Sequence, residues 1–441
     1  MKRIILLFAA AVLCVSCFEK LEFGEGWTPG EDITDPEPEE EEFVINSFPD
    51  NGSAVKSLVF DSGTDGHIYY RIPAMIETRS GKILAFCEAR NTKAPFYEGN
   101  EGKFAGIPVF QQGSSADSGD IDLVMKSSDD GGATWSGMTT LFNDGNNVCG
   151  NPAPVMDITT GRIFLFWCWQ KCGSQKSELF PSILDGHTRR VLYAWSDDEG
   201  KTWSEPVDMT TTLKSKDWTW YATGPCHAIQ VMAGSHKGRI IIPCNHRDAA
   251  NVHNYSHCCW SDDHGATWNL GGTTAVGGNE SCIVELSDGN VMTNMRIAPD
   301  DMPAGVNAKC RALSVSKDGG VTWGSFDRIE SLTDPGCQGA TANYHDKGKP
   351  TSILLMSNCH NASSRSNMTI SASMDDGKTW KSPYTVFPTR AAYSDIFVLS
   401  DGSVCVLYES GYGKYGAVST YEQINFHRLP ASIAASSLGL K

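Results

Sequence analysis

Along these 441 residues, apolar positions gather in short β-prone runs bounded by turn residues. Ile121-Asp122-Leu123-Val124-Met125 and Arg190-Val191-Leu192-Tyr193-Ala194-Trp195 are two such runs. Helical periodicity is absent throughout, so the pattern predicts strands and excludes a bundle or coiled coil. Two segments depart from it. Ile4 to Val15 is unbroken apolar sequence behind Lys2 and Arg3, too short to span a bilayer but suited to the core of an export signal. Residues 18–43 hold eleven acidic side chains, one lysine and three prolines. A self-repelling segment that cannot bury apolar surface reads as an extended tether.

The β-prone runs lead into a repeat. Ser-x-Asp-x-Gly-x-Thr-Trp occurs at Ser128–Trp135, Ser196–Trp203, Ser261–Trp268, Ser316–Trp323 and Ser373–Trp380, with starts 68, 65, 55 and 57 residues apart. Its chemistry is that of a tight hairpin. The Asp carboxylate can accept backbone N–H groups, Gly can take positive φ, and Trp can pack back onto the sheet. A unit of roughly 60 residues holds about four strands, one blade of a propeller. The expected fold is therefore all-β, a six-bladed β-propeller with five such hairpins. The domains expected are a signal at 1–17, the tether at 18–43 and the propeller at 44–441.

Composition sharpens this picture. The net charge of −16 argues against nucleic-acid binding. The tether supplies −10 and the leader +2, leaving −8 on residues 44–441. Two boxes contain Gly-Lys-Thr, at Gly200-Lys201-Thr202 and Gly377-Lys378-Thr379. A phosphate loop would need glycine where Trp195 and Ala372 stand, so no nucleotide cofactor is expected. No paired Cys-x-x-Cys motifs occur among the 15 cysteines, and His253 and His257 lack the context of a metal motif, so no metal is expected. Cys168 and Cys172 could bridge or bind metal.

Leu13-Cys14-Val15-Ser16-Cys17 resembles the lipobox of bacterial lipoproteins. It implies export and lipidation at Cys17, with ordinary signal cleavage and secretion as the alternative. Loss of Cys14 and capping of Cys17 would leave 13 cysteines, an odd number that requires at least one free thiol. Whether a lipid anchor would face the periplasm or the exterior stays open.

The repeat itself resembles the Asp box of sialidases and related β-propellers. Its aspartates are read as turn residues. Five further segments match the bacterial exo-α-sialidase (neuraminidase) pattern in order, over about residues 60–425. In Tyr70-Arg71-Ile72-Pro73 the resemblance makes Arg71 one of three arginines gripping the sialic acid carboxylate. The others are Arg296, in Asn294-Met295-Arg296, and Arg365, with Arg311 and Arg390 as nearby competitors. A guanidinium is permanently charged and forks to match a carboxylate. Phe86-Cys87-Glu88-Ala89-Arg90 places Arg90 in the glycone pocket. In Asp117-Ser118-Gly119-Asp120-Ile121-Asp122 the family's acid falls on Asp117 and not on Asp120. Gly278-Asn279-Glu280-Ser281 supplies the glutamate that polarises the catalytic tyrosine, while Glu285 is read as an exposed strand residue. Ala392-Tyr393-Ser394-Asp395 supplies the tyrosine, Tyr393. In Leu407-Tyr408-Glu409, Glu409 steadies Arg71 and Tyr408 is packing.

These residue types suit one chemistry. Most retaining glycosidases attack with a carboxylate, and sialidases with a tyrosine are an exception. Sialic acid carries its own carboxylate at the anomeric carbon. Two like charges at about 4 Å repel by roughly 4 kcal/mol at an effective dielectric near 20, about three decades in rate. A neutral phenol avoids that, but with a pKa of about 10 it needs a base. The reaction implied is release of terminal sialic acid from glycans with retention. Rival readings are a trans-sialidase or anhydro-forming variant, a noncatalytic glycan-binding propeller, and a glycosidase of neutral polysaccharides. Trp167, Trp169, Trp218 and Trp220 are candidates for substrate walls or for core.

Overall fold

The computed structural model describes residues 53–91, 117, 119–172, 188–346, 348–412 and 420–440. Cys17, the signal and the acidic tether lie outside them. Strand is the dominant regular structure of the described chain, with little helix. Strand pairing groups it into antiparallel meanders of four. The first comprises Tyr69–Glu77, Ile83–Asn91, Asp120–Ser128 and Thr139–Phe142. The second comprises Val148–Met156, Ile163–Gln170, Arg190–Ser196 and Val207–Asp208. A third has its inner strand split into Tyr221–Thr223 and Ile229–Gln230, both paired to Ile240–Arg247. Asn254–Ser261 and Asn269–Thr273 complete it. Gly278–Glu285, Val291–Ile297, Cys310–Ser316 and Asp327–Thr333 form the fourth. The long strand Lys381–Val398 serves two meanders, pairing first with Ser366–Ser373 and then with Val404–Ser410.

The innermost strand of each meander packs beside its neighbours, Tyr69–Glu77 against both Val148–Met156 and Lys381–Val398. The last meander closes on the chain's own beginning, because its outer strand is Val55–Asp61, paired to Gln423–Leu429. That closure explains why this meander has no Asp box. Each box occupies the hairpin between a third and a fourth strand, and here the two come from opposite ends of the chain.

The boxes have one geometry. In the first, Asp130 Oδ1 accepts the Thr134 N–H at 2.9 Å and Oδ2 the Thr134 hydroxyl at 2.6 Å, while Ser128 Oγ accepts the Gly132 N–H at 2.8 Å. The tryptophan does not fold back onto its own sheet, as expected from sequence; it reaches the preceding meander. Trp135 meets Phe426 edge-on at 5.4 Å, Trp203 meets Phe86 at 6.1 Å and Trp268 meets Phe166 at 4.6 Å. The box glycine is needed twice over. Gly132 has φ +85° and Gly265 +80°, and a Cβ would lie 2.0 Å from Phe426 or 2.2 Å from Phe164. The motif is thus a clasp between blades as well as a turn.

The chain is nearly all-β as expected. A helix does occur, Ala431–Leu438, opening after Pro430 and closing at Gly439 with φ +68°. Its Ala- and Ser-rich sequence shows weak periodicity, yet Ala434 and Leu438 are buried because tertiary contact holds it. One further expectation needs correction: Glu285 is not exposed. It is 3% accessible and accepts the N–H groups of Met232 and Ala233 at 2.7 and 2.8 Å. Both donors lie in the loop that follows Ile229–Gln230 and have no ladder partner of their own there. Cys168 and Cys172 are both free thiols, as are the other described cysteines. His253 and His257 do not converge: His253 Nδ1 bonds Asp301 at 2.8 Å, and His257 Nδ1 lies 3.0 Å from His246 Nδ1.

Candidate active site

The inner strands are interrupted where the predicted site residues lie. Register shifts fall between Arg71 and Ala74, Gly278 and Ser281, and Ala391 and Ser394. An extra residue breaks the ladder and re-aims the side chains beside it. Ile72 sits at φ +59°, where a β-branched residue is rarely found. Its N–H leaves the ladder and donates to Glu409 Oε1 at 2.8 Å.

Arg71 and Glu409 form a buried bidentate pair, with Nε–Oε1 at 3.0 Å and Nη2–Oε2 at 3.2 Å. Glu409 also accepts the backbone N–H of Tyr393 at 3.0 Å. One carboxylate therefore ties an arginine and the tyrosine backbone together across the ring closure. Tyr393 O–H donates to Glu280 Oε1 at 2.5 Å. Arg296 Nη1 donates to Glu280 Oε2 at 2.8 Å and lies 3.3 Å from the Tyr393 oxygen. The guanidinium carbons of Arg71 and Arg365 lie 5.0 and 5.4 Å from the Tyr393 ring. The structure brings Arg71, Arg296, Arg365, Glu280, Tyr393 and Glu409 into one cluster.

Burial pushes Glu280 up, but Arg296 and the Tyr393 hydrogen bond outweigh it and hold it below the usual carboxylate range. Tyr393 is driven well above the ordinary phenol range by burial and by the Glu280 charge, against Arg296 and Arg365. The resting arrangement is an ionised carboxylate accepting from a neutral phenol, a base in place beside a latent nucleophile. Three guanidiniums with only two carboxylates among them leave positive charge for an anion.

Arg90 and Asp117 form a second group. Arg90 Nε donates to Glu88 Oε2 at 2.8 Å and Nη2 to Asp117 Oδ1 at 3.2 Å. Asp117 is 51% exposed, whereas Arg90 and Glu88 are buried. Arg311, a competitor in sequence, is fully buried and bonds Asn294 Oδ1 and the Cys337 carbonyl. It is a strut. Tyr408 packs in the core.

Sequence reasoning missed four contributors. Tyr421 lies between two of the arginines: its ring centroid is 4.0 Å from Arg71 Cζ and its hydroxyl accepts from Arg365 Nη1 at 2.8 Å. No motif surrounds it. Glu88 could have been found, because positions i and i+2 of a strand share a face and Arg90 follows it by two. Gln338 holds Ser394, accepting its N–H at 3.0 Å and donating to its carbonyl at 3.0 Å. Asp395 accepts the Met75 N–H at 2.9 Å and contacts His227 Nδ1 at 2.7 Å. Although burial alone would lower it, that carboxylate pushes His227 up to about 9. The backbone at Tyr393 and Ser394 is thereby fastened by Glu409 and Gln338, buried side chains from outside its own strand.

With fold and cluster in view, comparison with known proteins gives the class. The model of the BNR repeat-like domain family matches residues 107–406, and the chain belongs to that family. It is similar to a sialidase of Micromonospora viridifaciens, 31% identical over 364 residues covering 80% of this chain and 51% of that protein. A sialidase of Bacteroides fragilis is 26% identical over 369 residues, 79% of this chain and 61% of that one. The chain thus spans only half to three fifths of these relatives. Among solved structures, the Hadza microbial sialidase Hz136 superposes with a TM-score of 0.68 at 26% identity, covering 84% of this chain and 67% of that chain.

Proposed function

We propose that this protein is an exo-α-sialidase that hydrolyses terminal α-linked sialic acid from glycoproteins, glycolipids or oligosaccharides, acting after export and tethered through Cys17. The observation that carries this reading is the Tyr393–Glu280 hydrogen bond of 2.5 Å beside Arg71, Arg296 and Arg365. Such a cluster suits a substrate with a carboxylate next to the reacting carbon. A neutral glycan would give the arginines no partner, and a purely binding propeller would not need a base on a buried phenol. The sialidases of Micromonospora and Bacteroides to which the chain is similar support the same reading.

In this reading each charged group has its own task. Arg71, Arg296 and Arg365 bind the substrate carboxylate. Tyr393 attacks the anomeric carbon while Glu280 takes its proton, and the bond to the aglycone oxygen breaks as Asp117 protonates that oxygen. Asp117 then deprotonates a water that attacks the same carbon. The bond to Tyr393 breaks, and the phenol recovers its proton from Glu280. Two displacements give net retention. Arg90, locked to Glu88, holds Asp117 over the glycone.

An aryl α-sialoside tests this. The intact protein should release the aryl group, and Tyr393→Phe should abolish most release while remaining folded by circular dichroism. Absence of release by the intact protein across about pH 4 to 8 would sink the proposal. NMR of the sugar product distinguishes hydrolysis from transfer or an anhydro product.

A further inference from the structure

A second concave feature, lined by none of the arginine-cluster residues, lies between the outer edge of the first meander and the second meander. It is a cleft of about 560 Å3, within the size range of small-molecule sites. Half-buried Phe142, Trp169 and Trp203 line its wall. Phe142 stacks on the buried Trp167 at 4.1 Å, and Asp144 Oδ2 accepts the Trp169 indole N–H at 2.7 Å.

Its charge is the reverse of the arginine cluster's. Asp144 and Glu205 line it, and the one lining cation, Arg190, is held by Asp208 at 3.3 Å and lies 5.0 Å from the Trp169 ring. Such a wall repels a carboxylated sugar. Two N–H donors of the lining, Trp167 Nε1 and Arg190 Nε, are buried without a hydrogen-bond partner among the described residues. An unmet buried donor is destabilising, and an acceptor drawn into the wall would satisfy it. Flat apolar rings, carboxylates that accept hydroxyls and donors that lack acceptors together describe a neutral pyranose.

We infer that this cleft binds the neutral saccharide portion of the glycan from which sialic acid is removed. The identity of the ligand rests on the proposed sialidase reading; the neutral-sugar chemistry does not. The loop above the cleft leads toward the acid. Asn143 Nδ2 donates to Asp122 Oδ2 at 2.8 Å and Asn147 accepts the Ile121 N–H at 3.3 Å, close along the chain to Asp117. A neutral arm held there would keep a large glycan beside the catalytic cluster without touching it.

Saturation-transfer NMR and titration with lactose and with N-acetyllactosamine test this on the full chain. We expect a Kd on the order of 1 mM, weakened about tenfold by Trp169→Ala. The same variant should keep kcat/KM on a small aryl sialoside within about twofold and lose several-fold on a sialylated glycoprotein. Trp169→Phe, which keeps a ring, guards against misreading a folding defect and should retain most binding. No saturation transfer to either sugar at about ten times that Kd would overturn the inference. So would binding that Trp169→Ala leaves intact, or that a sialic acid glycal displaces. Failure of the aryl sialoside assay in the intact protein would instead count against the sialidase reading, since sugar binding is measured separately.

Discussion

The Asp-box hairpins and the ring of innermost strands use carboxylates in opposite ways. Asp130, Asp198, Asp263, Asp318 and Asp375 each bond a threonine four residues ahead. Their environment is made within eight residues and repeats with the motif. Glu409 and Glu280 are buried and bond residues 338 and 113 positions away in sequence. Each occurs once. A carboxylate satisfied locally can be copied from blade to blade, whereas one satisfied by distant strands exists only where the ring brings those strands together.

The contrast can be broken most sharply by activity. Tyr393→Phe should lower kcat on an aryl sialoside by about three decades or more, while Asp130→Ala leaves kcat/KM within about twofold. A comparable loss in both would erase the distinction between the hairpins and the ring of innermost strands.

A pH titration of stability probes buried carboxyls outside the cluster. Burial, opposed by hydrogen bonds to the carboxylate, pushes Glu77 and Glu285 up to about 7. Each folded group then binds more protons than its unfolded counterpart. Stability from these groups is full below about pH 4.5 and is lost as pH rises toward about 7. Denaturant titrations should show that fall, roughly 1–3 kcal/mol per group, and Glu285→Gln should remove its share. A flat profile in the intact protein would refute it.

Tyr421→Phe keeps the ring beside Arg71 and removes the oxygen that Arg365 meets. KM for the sialoside should rise about three- to tenfold with kcat nearly unchanged. A fall in kcat alone would place Tyr421 with the reacting groups instead. The smallest effect is expected at the hairpins, where Asp130→Ala frees three donors, the Thr134 N–H and the Thr134 and Ser128 hydroxyls. A loss near 1 kcal/mol in urea denaturation is expected, and a loss several times larger would mean that the box governs blade docking more than turn closure.

Much was legible because several signals are local. The strand content, the five hairpins and the order of the site segments all lie in short stretches of sequence. Arg71, Glu280, Arg296, Arg365, Tyr393 and Glu409 were named from such stretches and do converge. Glu285 was misplaced because alternation along a strand reports a face; it does not reveal that the loop after a neighbouring inner strand brings the N–H groups of Met232 and Ala233 to it in need of an acceptor. Tyr421 and Gln338 escaped because their partners lie in other blades.

The sequence by itself determined the repeating unit, since a box closes with hydrogen bonds reached within a few residues whatever the rest of the chain does. It also determined the chemical inventory: arginines, a phenol and carboxylates. Only the tertiary structure decided which of these act together. The register shifts at Arg71, Glu280 and Tyr393 turn their side chains into one place. Burial there makes a 2.5 Å bond between Tyr393 and Glu280 a feature of the folded ring, because low dielectric and excluded water exist only once the distant strands have met.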